Sequence, residues 1–263
     1  MSVIESILLG LLQGLTEFLP VSSSGHLVLA QDFMGIESPG VTFEIVVHAA
    51  TVMSTIVVFR KEIWSLIQGL FKFSYNSETI YLLKIGLSMI PILVIGFLFK
   101  DDIEALFGSG RIIVGAFLIV TALLLILSQM MKSQERPIKY KDALIIGLAQ
   151  ACAVVPGLSR SGTTIATGLM LGLKKDEVAK FSFLMVLIPI LGEAFLQVVS
   201  GELSTASVGI GAIPLMCGFL AAFLSGLFAC KVMIALVKRA KLTGFALYCA
   251  VAGLISILSV VIF

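Results

Sequence analysis

Arg160 is the ionisable residue whose position is hardest to explain, because it is the only Arg or Lys inside an apolar stretch rather than at its edge. A cation in such a setting costs roughly 3 kcal/mol or more and usually marks a functional site. Ser159 and Ser161 flank it with hydroxyl donors, while Gly157 and Gly162 let the backbone approach a ligand. Arg suits bidentate contact with phosphate, and a helix that begins at such a turn favours an anion. The segment predicts a site for a phosphate or diphosphate group; the alternative is an ion pair that joins two helices.

Glu17 and Gln13 form a second polar group, four residues apart on one face of a helix that must end near Pro20. A carboxylate among apolar neighbours can act as a general base or bind a divalent metal beside a diphosphate. The alternative role for Glu17 is an ion pair with Arg160, which can also hold in the resting state.

A run of hydroxyls and an imidazole follows directly, at Ser22, Ser23, Ser24 and His26. If a helix starts here, Ser22 or Ser23 is a natural N-cap, and capping alone explains the serines. Ser23 and His26 lie three residues apart, so the spacing predicts that hydroxyl and imidazole converge. That arrangement suits nucleophilic attack on phosphorus by Ser23, or by His26 itself.

Three further ionisable residues lie in apolar segments. Glu44 and His48 share one helical face, where they either line the site or bond to each other. Glu193 is an intramembrane carboxylate whose function the sequence leaves open.

Composition places these groups in a membrane. The chain has 263 residues, of which 59% are hydrophobic and 13% charged, with a mean hydropathy of +1.11. A soluble domain carries about 25% charged residues. The net charge of +2 and the lack of a basic stretch interleaved with aromatics argue against a nucleic-acid partner.

The expected fold is an all-α polytopic membrane protein with six transmembrane helices and two re-entrant helix pairs, in one membrane domain over residues 1–263. The six spans share lengths near the 20 apolar residues that a bilayer requires: Phe43–Phe59, Ile80–Phe99, Ile112–Met131, Phe181–Val199, Val208–Cys230 and Gly244–Phe263. The re-entrant pairs are shorter and meet at the two polar turns: Val3–Phe18 with Gly25–Met34, and Asp142–Val155 with Thr163–Leu173.

The two re-entrant pairs resemble each other at an offset of 137 residues, which predicts repeat halves of approximately 1–135 and 136–263. The matched positions are Gly10 with Gly147, Gln13 with Gln150, and Ser22–Gly25 with Ser159–Gly162. Lys and Arg cluster in four connections and the opposite side keeps only Lys100 and Arg111, so the clusters are expected to be cytoplasmic. Both termini then lie outside, and the two pairs enter from opposite faces as an inverted-topology repeat with a site at its interface.

The two polar segments resemble the undecaprenyl-diphosphatases associated with bacitracin resistance. The resemblance covers essentially the whole chain and is carried by QGLTEFLPVSSSGH from Gln13 to His26 and by PGLSRSGTT from Pro156 to Thr164. It implies a multi-pass enzyme of the bacterial inner membrane whose active site opens toward the outer face. The implied reaction hydrolyses undecaprenyl diphosphate to undecaprenyl phosphate and inorganic phosphate, which recycles the carrier lipid for cell-wall synthesis. The implied cofactor is Mg²⁺ or Ca²⁺.

The resemblance also assigns roles to residues. Glu17 corresponds to the essential carboxylate and candidate metal ligand, Ser23 to the proposed nucleophile, His26 to the catalytic histidine and Arg160 to the diphosphate-binding arginine. Gln13 stands where relatives often have a second glutamate, so a metal here would depend on Glu17 and the diphosphate oxygens. The remaining polar side chains are expected to bind substrate: Gln13, Ser22, Ser24, Ser159, Ser161 and Thr164.

A transporter that flips a phosphorylated prenyl lipid is the alternative function, because inverted repeats and broken helices are also transporter features. Transport requires Arg160 for binding but no nucleophile at Ser23. The expected partners are the lipid substrate and the bilayer, and the sequence is compatible with a homodimer.

Overall fold

The computed structural model describes residues 1–36, 41–107, 110–131, 134–200, 210–239 and 242–262, and the regular structure of these residues is helical. The described helices, in chain order, are α1 (Val3–Phe18), α2 (Ser23–Met34), α3 (Val41–Val58), α4 (Arg60–Leu70), α5 (Ser77–Leu98), α6 (Lys100–Phe107), α7 (Gly110–Met130), α8 (Tyr140–Cys152), α9 (Arg160–Met170), α10 (Lys175–Met185), α11 (Leu187–Ser200), α12 (Ala212–Lys238) and α13 (Thr243–Ile262).

Four of the described helices, α5, α7, α12 and α13, are long and apolar enough to cross a membrane. A fifth span results if α3 and α4, which meet at an angle of 78°, count as one broken span. The chain is therefore a helical, multi-pass membrane protein, as the composition predicted.

The segment predicted as one span over Phe181–Val199 is divided into α10 and α11. Pro189 supplies the physical reason. Its ring clashes with the carbonyl four residues earlier, which belongs to Met185, the last residue of α10. The helix therefore breaks at Val186, and the second part begins with the proline in its first turn. The predicted end at Cys230 also differs, because α12 continues to Lys238.

The first helix of each predicted half packs against a helix of the other half. α1 lies along α12, α8 lies along α5, and α7 pairs with α13. Glycines permit the close approach: Gly10 on α1 faces the backbone carbonyl of Gly218 on α12, and Gly147 on α8 faces the carbonyl of Ser88 on α5. Small residues at such contacts let two helix backbones approach, which increases the van der Waals contact that favours helix association in a bilayer.

Two helix–turn–helix segments position the polar residues. α1 ends at Phe18 because the residue before Pro20 is held in extended conformation. α2 and α9 then begin with serine N-caps: Ser22 accepts from the amide of Gly25 at 3.3 Å, and Ser159 from that of Gly162 at 3.1 Å. Side-chain caps of this kind satisfy free amides at the start of a helix and contribute about 1 kcal/mol each.

The two turns lie against each other. A Cβ added to Gly25 would lie 3.0 Å from the Cα of Gly157, and the Ser161 hydroxyl donates to the carbonyl of Leu19 at 3.0 Å. Thr121 on α7 fastens the second turn, since its Oγ1 donates to the Gly157 carbonyl at 3.2 Å and accepts from the Ser159 amide at 3.0 Å. This contact brings residues far apart in the sequence into one polar region.

Candidate active site

Glu17 is the centre of the polar region, and its carboxylate is contacted from three helices. Its Oε2 accepts hydrogen bonds from Nε2 of Gln13 at 2.9 Å and from Oγ of Ser23 at 2.6 Å. Its Oε1 forms an ion pair with the guanidinium of Arg160. The structure thus brings together four of the residues that the sequence singled out.

The Glu17–Arg160 ion pair was the alternative role for both residues, and it is present in this structure. The Glu17 side chain is only 5% exposed, whereas that of Arg160 is 25% exposed. A buried carboxylate needs a cation and hydrogen-bond donors to offset its lost hydration. Arg160 uses Nη2 for Glu17, and a guanidinium has five N–H donors. It is therefore suited to bind an anion at its exposed side while it pairs with Glu17.

His48 on α3 is a further group beside Glu17. Its Nε2 lies 3.8 Å from Oε2 of Glu17, and its Nδ1 bonds to the backbone carbonyl of Glu44 at 2.7 Å. The sequence placed Glu44 and His48 on one face without choosing between site and mutual bond. The structure places His48 at the site, and Glu44 contributes its backbone to that bond. The Glu193 side chain lies outside the part of the chain that the structure describes.

His26 does not converge with Ser23 in the way that the spacing predicted. Its Nδ1 is 2.8 Å from the carbonyl of Ser22, and its Nε2 is 2.6 Å from the hydroxyl of Tyr248 on α13. The physical reason is that Nδ1 reaches back to the carbonyl one helical turn earlier, which directs the other nitrogen to α13. Ser23 instead bonds to Glu17. Tyr248 was not predicted from the sequence as part of this group.

The hydroxyls of Ser22 and Ser24 form their contacts within the first turn itself. Ser22 caps α2, and its Oγ lies 3.4 Å from that of Ser24. The Ser22 backbone has φ 68° and ψ 95°, a conformation that non-glycine residues rarely adopt and that costs of the order of 1–3 kcal/mol. Strain of this kind persists only where surrounding contacts hold it, and it is concentrated at functional sites.

The hydroxyls of the second turn also have protein partners. Ser159 and Ser161 bond to Gly162 and Leu19 as described above. Thr164 donates to the carbonyl of Arg160 at 2.9 Å, and its Oγ1 is 2.6 Å from the hydroxyl of Ser182 on α10. The predicted substrate-binding hydroxyls therefore contribute to the shape of the site, and Ser161 also lines its cavity.

A cavity opens at Glu17 and Arg160 with a polar part and an apolar part. The polar lining residues are Glu17, Thr51, Thr55, Arg160, Ser161 and Ser182. The apolar lining residues are Phe18, Val52, Phe183, Val186 and Ile190. Helices α3, α10 and α11 supply most of the lining that the sequence analysis did not predict. The lining therefore places an arginine and hydroxyl groups next to apolar side chains.

The site offers few protein oxygen atoms that could bind a hard divalent cation. Oε1 of Gln13 is buried and has no hydrogen-bond partner, although the same amide donates to Glu17. Among the described residues no group of three or more His, Cys, Asp or Glu could hold a metal. Glu17 and Gln13 could therefore supply two oxygens, and a Mg²⁺ ion commonly completes its shell with waters and substrate phosphates.

Comparison with known proteins agrees with these motifs. The family described as "Bacitracin resistance protein BacA" matches residues 6–255. Undecaprenyl-diphosphatase of Parabacteroides distasonis is 56% identical over 262 residues, covering 98% of each chain. The protein of the same name from Bacteroides thetaiotaomicron is 56% identical, and the match covers 98% of this chain and 99% of that protein. The one from Halothermothrix orenii is 38% identical, and the match covers 100% of both chains. A family match over nearly the whole length, together with relatives of this identity, shows that the chain belongs to the bacitracin resistance protein BacA family.

Proposed function

We propose that this protein hydrolyses undecaprenyl diphosphate to undecaprenyl phosphate and inorganic phosphate, and so recycles the carrier lipid for cell-wall synthesis. One observation carries the proposal: the Ser23 hydroxyl donates to Glu17, and Glu17 pairs with Arg160 at the polar part of a cavity whose other part is apolar. A hydroxyl can attack the terminal phosphorus, a carboxylate can take up the proton of that hydroxyl, and an arginine can bind the diphosphate oxygens. The identity of the proposed substrate comes from the relatives, which are named undecaprenyl-diphosphatase.

Arg160 binds the diphosphate, assisted by the N-terminus of α9, where Arg160 is the first residue. Ser23 attacks the terminal phosphorus, and its proton passes to Glu17, to which the hydroxyl already donates at 2.6 Å. The Oγ–P bond forms as the bond to the bridging oxygen breaks, which releases undecaprenyl phosphate. Water then cleaves the phosphoserine, giving inorganic phosphate and restoring Ser23. Arg160 stabilises charge on the phosphoryl oxygens, usually a large contribution in such transfers.

A divalent cation, Mg²⁺ or Ca²⁺, completes the proposed site. Glu17 and the unpartnered Oε1 of Gln13 would hold it beside the diphosphate. Such an ion supplies charge neutralisation on the phosphoryl oxygens. The glutamine carries no charge, so we expect weak binding of the free ion and stronger binding in the presence of substrate.

We propose for the membrane arrangement six crossings, with α10 and α11 as one broken span, and two re-entrant pairs, α1–α2 and α8–α9, in an inverted repeat. The exchanged packing of α1 on α12 and α8 on α5 supports this arrangement, as does the use of Gly10 and Gly147 at equivalent contacts. The protein would lie in the bacterial inner membrane with both termini and the site toward the outer face. Labelling of single cysteines from each side of the membrane tests it, and light scattering of the purified protein tests the expected homodimer.

The test of function is phosphate release from undecaprenyl diphosphate by purified protein, with Mg²⁺ or Ca²⁺ and with a chelator. We expect release that depends on the metal, a loss of about 100-fold or more in Arg160→Ala, and a larger loss in Ser23→Ala. Arg60→Ala is the matched control, because Arg60 is exposed on α4 and bonds to the carbonyl of Val57. A folded wild-type protein that releases no phosphate contradicts the proposal, and lipid transport would then become the leading alternative.

A further inference from the structure

Three residues form a continuous hydrogen-bonded chain from α13 to the start of α2. The hydroxyl of Tyr248 lies 2.6 Å from Nε2 of His26, and Nδ1 of His26 lies 2.8 Å from the carbonyl oxygen of Ser22. The two rings are nearly parallel, at 13° with centroids 5.5 Å apart. Both ring nitrogens of His26 are thus engaged on opposite sides, which fixes the plane of the imidazole.

The partners determine where the imidazole proton lies. A backbone carbonyl can only accept, so Nδ1 must carry the hydrogen. In the neutral ring Nε2 then holds the lone pair, and the Tyr248 hydroxyl donates to it. The basic nitrogen of His26 is therefore directed at Tyr248 and away from Ser23, whose hydroxyl bonds to Glu17.

The Ser22 carbonyl belongs to the strained turn that directs the Ser23 side chain toward Glu17. Ser22 has φ 68°, and its carbonyl accepts both the backbone amide of His26 at 3.1 Å and Nδ1 at 2.8 Å. A non-glycine residue holds such a conformation only when its surroundings impose it. The next residue, Ser23, is the first of α2 and places its hydroxyl on Glu17.

We propose that Tyr248 and His26 act as a strut that holds the Ser22 turn and thereby positions Ser23, so that His26 is a positioning residue and not the base of the reaction. The proposal rests on the proposed function, because it assumes that Ser23 attacks the substrate. Tyr248, which lies 222 residues after His26 in the chain, thereby takes part in positioning Ser23.

Two substitutions of His26 separate positioning from proton transfer. His26→Asn keeps an N–H donor near the position of Nδ1 but removes the titratable ring, whereas His26→Ala removes both. We expect kcat to fall about 100-fold in His26→Ala, since misplacement of a reacting group by about 1 Å can cost that much. His26→Asn should stay within about tenfold of wild type, with KM unchanged in both variants because neither touches the substrate. Equal losses in the two variants would overturn the proposal.

The protonation pattern can be measured without turnover. The chain has only two histidines, His26 and His48, so ¹⁵N-histidine labelling gives a simple NMR spectrum, and His48→Gln assigns it. We expect His26 to carry its proton on Nδ1. In Tyr248→Phe the Nε2 resonance should move toward that of an unbonded lone pair. The kcat should fall about tenfold, because the imidazole loses one of the two hydrogen bonds that hold it and Ser23 is positioned less accurately.

Tyr75→Phe is the matched control, because the Tyr75 hydroxyl is exposed and pairs with Tyr140; its His26 spectrum and kcat should equal those of wild type. A proton on Nε2, or a Tyr248→Phe protein with unchanged spectrum or unchanged kcat, would overturn the strut. Thermal unfolding of each variant confirms that it is folded. A wild-type protein that shows the expected spectrum but releases no phosphate would contradict the proposed function alone, because the NMR result does not require hydrolysis.

Discussion

Gly14 on α1 gives the sharpest prediction about how packing controls the site. The backbone of α12 approaches it so closely that an added Cβ would overlap the carbonyl of Ala222 and the hydroxyl of Ser225, and would lie 2.8 Å from the amide nitrogen of Gly226. Ordinary contact begins at 3.4 Å, so relief of the last contact alone needs 3.4 minus 2.8, or 0.6 Å, and relief of the carbonyl needs more. Gly14→Ala should therefore push α1 away from α12 by about 1 Å, because extra volume in a packed core forces the backbone to shift.

Glu17 lies one turn beyond Gly14, so the displacement moves the carboxylate relative to Ser23 and Arg160. Overpacking costs about 1–3 kcal/mol, and the better helix propensity of alanine returns up to about 1 kcal/mol. We expect a net destabilisation of about 1–2 kcal/mol. A shift of about 1 Å can lower the rate roughly 100-fold.

The assay compares Gly14→Ala with Gly86→Ala on α5, where an added Cβ would meet nothing within 4 Å. Thermal unfolding in detergent should show a lower Tm for Gly14→Ala and an unchanged or higher Tm for Gly86→Ala. Phosphate release should fall only in the first. Ser225→Gly should not rescue Gly14→Ala, because the carbonyl of Ala222 remains in place. A Gly14→Ala protein as stable and as active as Gly86→Ala would refute this reasoning.

Three other substitutions test separate parts of the structure. Arg160→Lys keeps the charge but loses the planar fork, so phosphate release should fall at least tenfold, and an unchanged rate would show that charge alone suffices. Glu17→Gln should abolish release and cost about 2 kcal/mol, because it leaves a partly buried Arg160 without its carboxylate; a calorimetric Tm equal to wild type would contradict the importance of the ion pair. Asp142→Asn should lower stability by about 2 kcal/mol near neutral pH, because Asp142 accepts two hydrogen bonds from Arg136, at 2.6 and 2.8 Å. These bonds hold the pKa of Asp142 below its usual 3.8, so the stability difference from wild type should be complete above about pH 4 and should shrink as the pH falls through the lower, folded-state pKa.

The sequence predicted much of the fold because apolar runs and prolines are local signals. The boundaries of α1, α2, α8 and α9 lie within a few residues of the expected ones, since Pro20 and the serine caps mark them. The break at Val186 escaped prediction because hydropathy remained high across it, although Pro189 was a usable signal for it. The membrane sidedness and the inverted repeat stay predictions.

A contact of the site was predictable from the sequence where both of its residues are ionisable and lie in apolar segments. Glu17 and Arg160 each stood out in an apolar segment, and the structure joins them. Tyr248, His48 and Ser182 were missed or undervalued because each lies on a helix whose orientation depends on packing. Helical periodicity defines a face within one helix, but it does not say which other helix that face will meet. A polar aromatic such as Tyr248 in an apolar helix is the one signal that could have pointed to it.

The exchanged packing of α1 and α8 has a consequence for biogenesis. α1 is translated well before its packing partner α12 and before Arg160, the cation for Glu17, which lies 143 residues later in the chain. Until then, Gln13 and Glu17 have no completed environment in the bilayer, where an uncompensated carboxylate is costly. Membrane insertion of the first helix is therefore expected to remain provisional, with α1 near the interface or held by the insertion machinery. The surroundings of Glu17 are complete only after Arg160 and α12 have been made, so a truncated chain that lacks α12 and α13 should be cleared by proteolysis and never acquire activity.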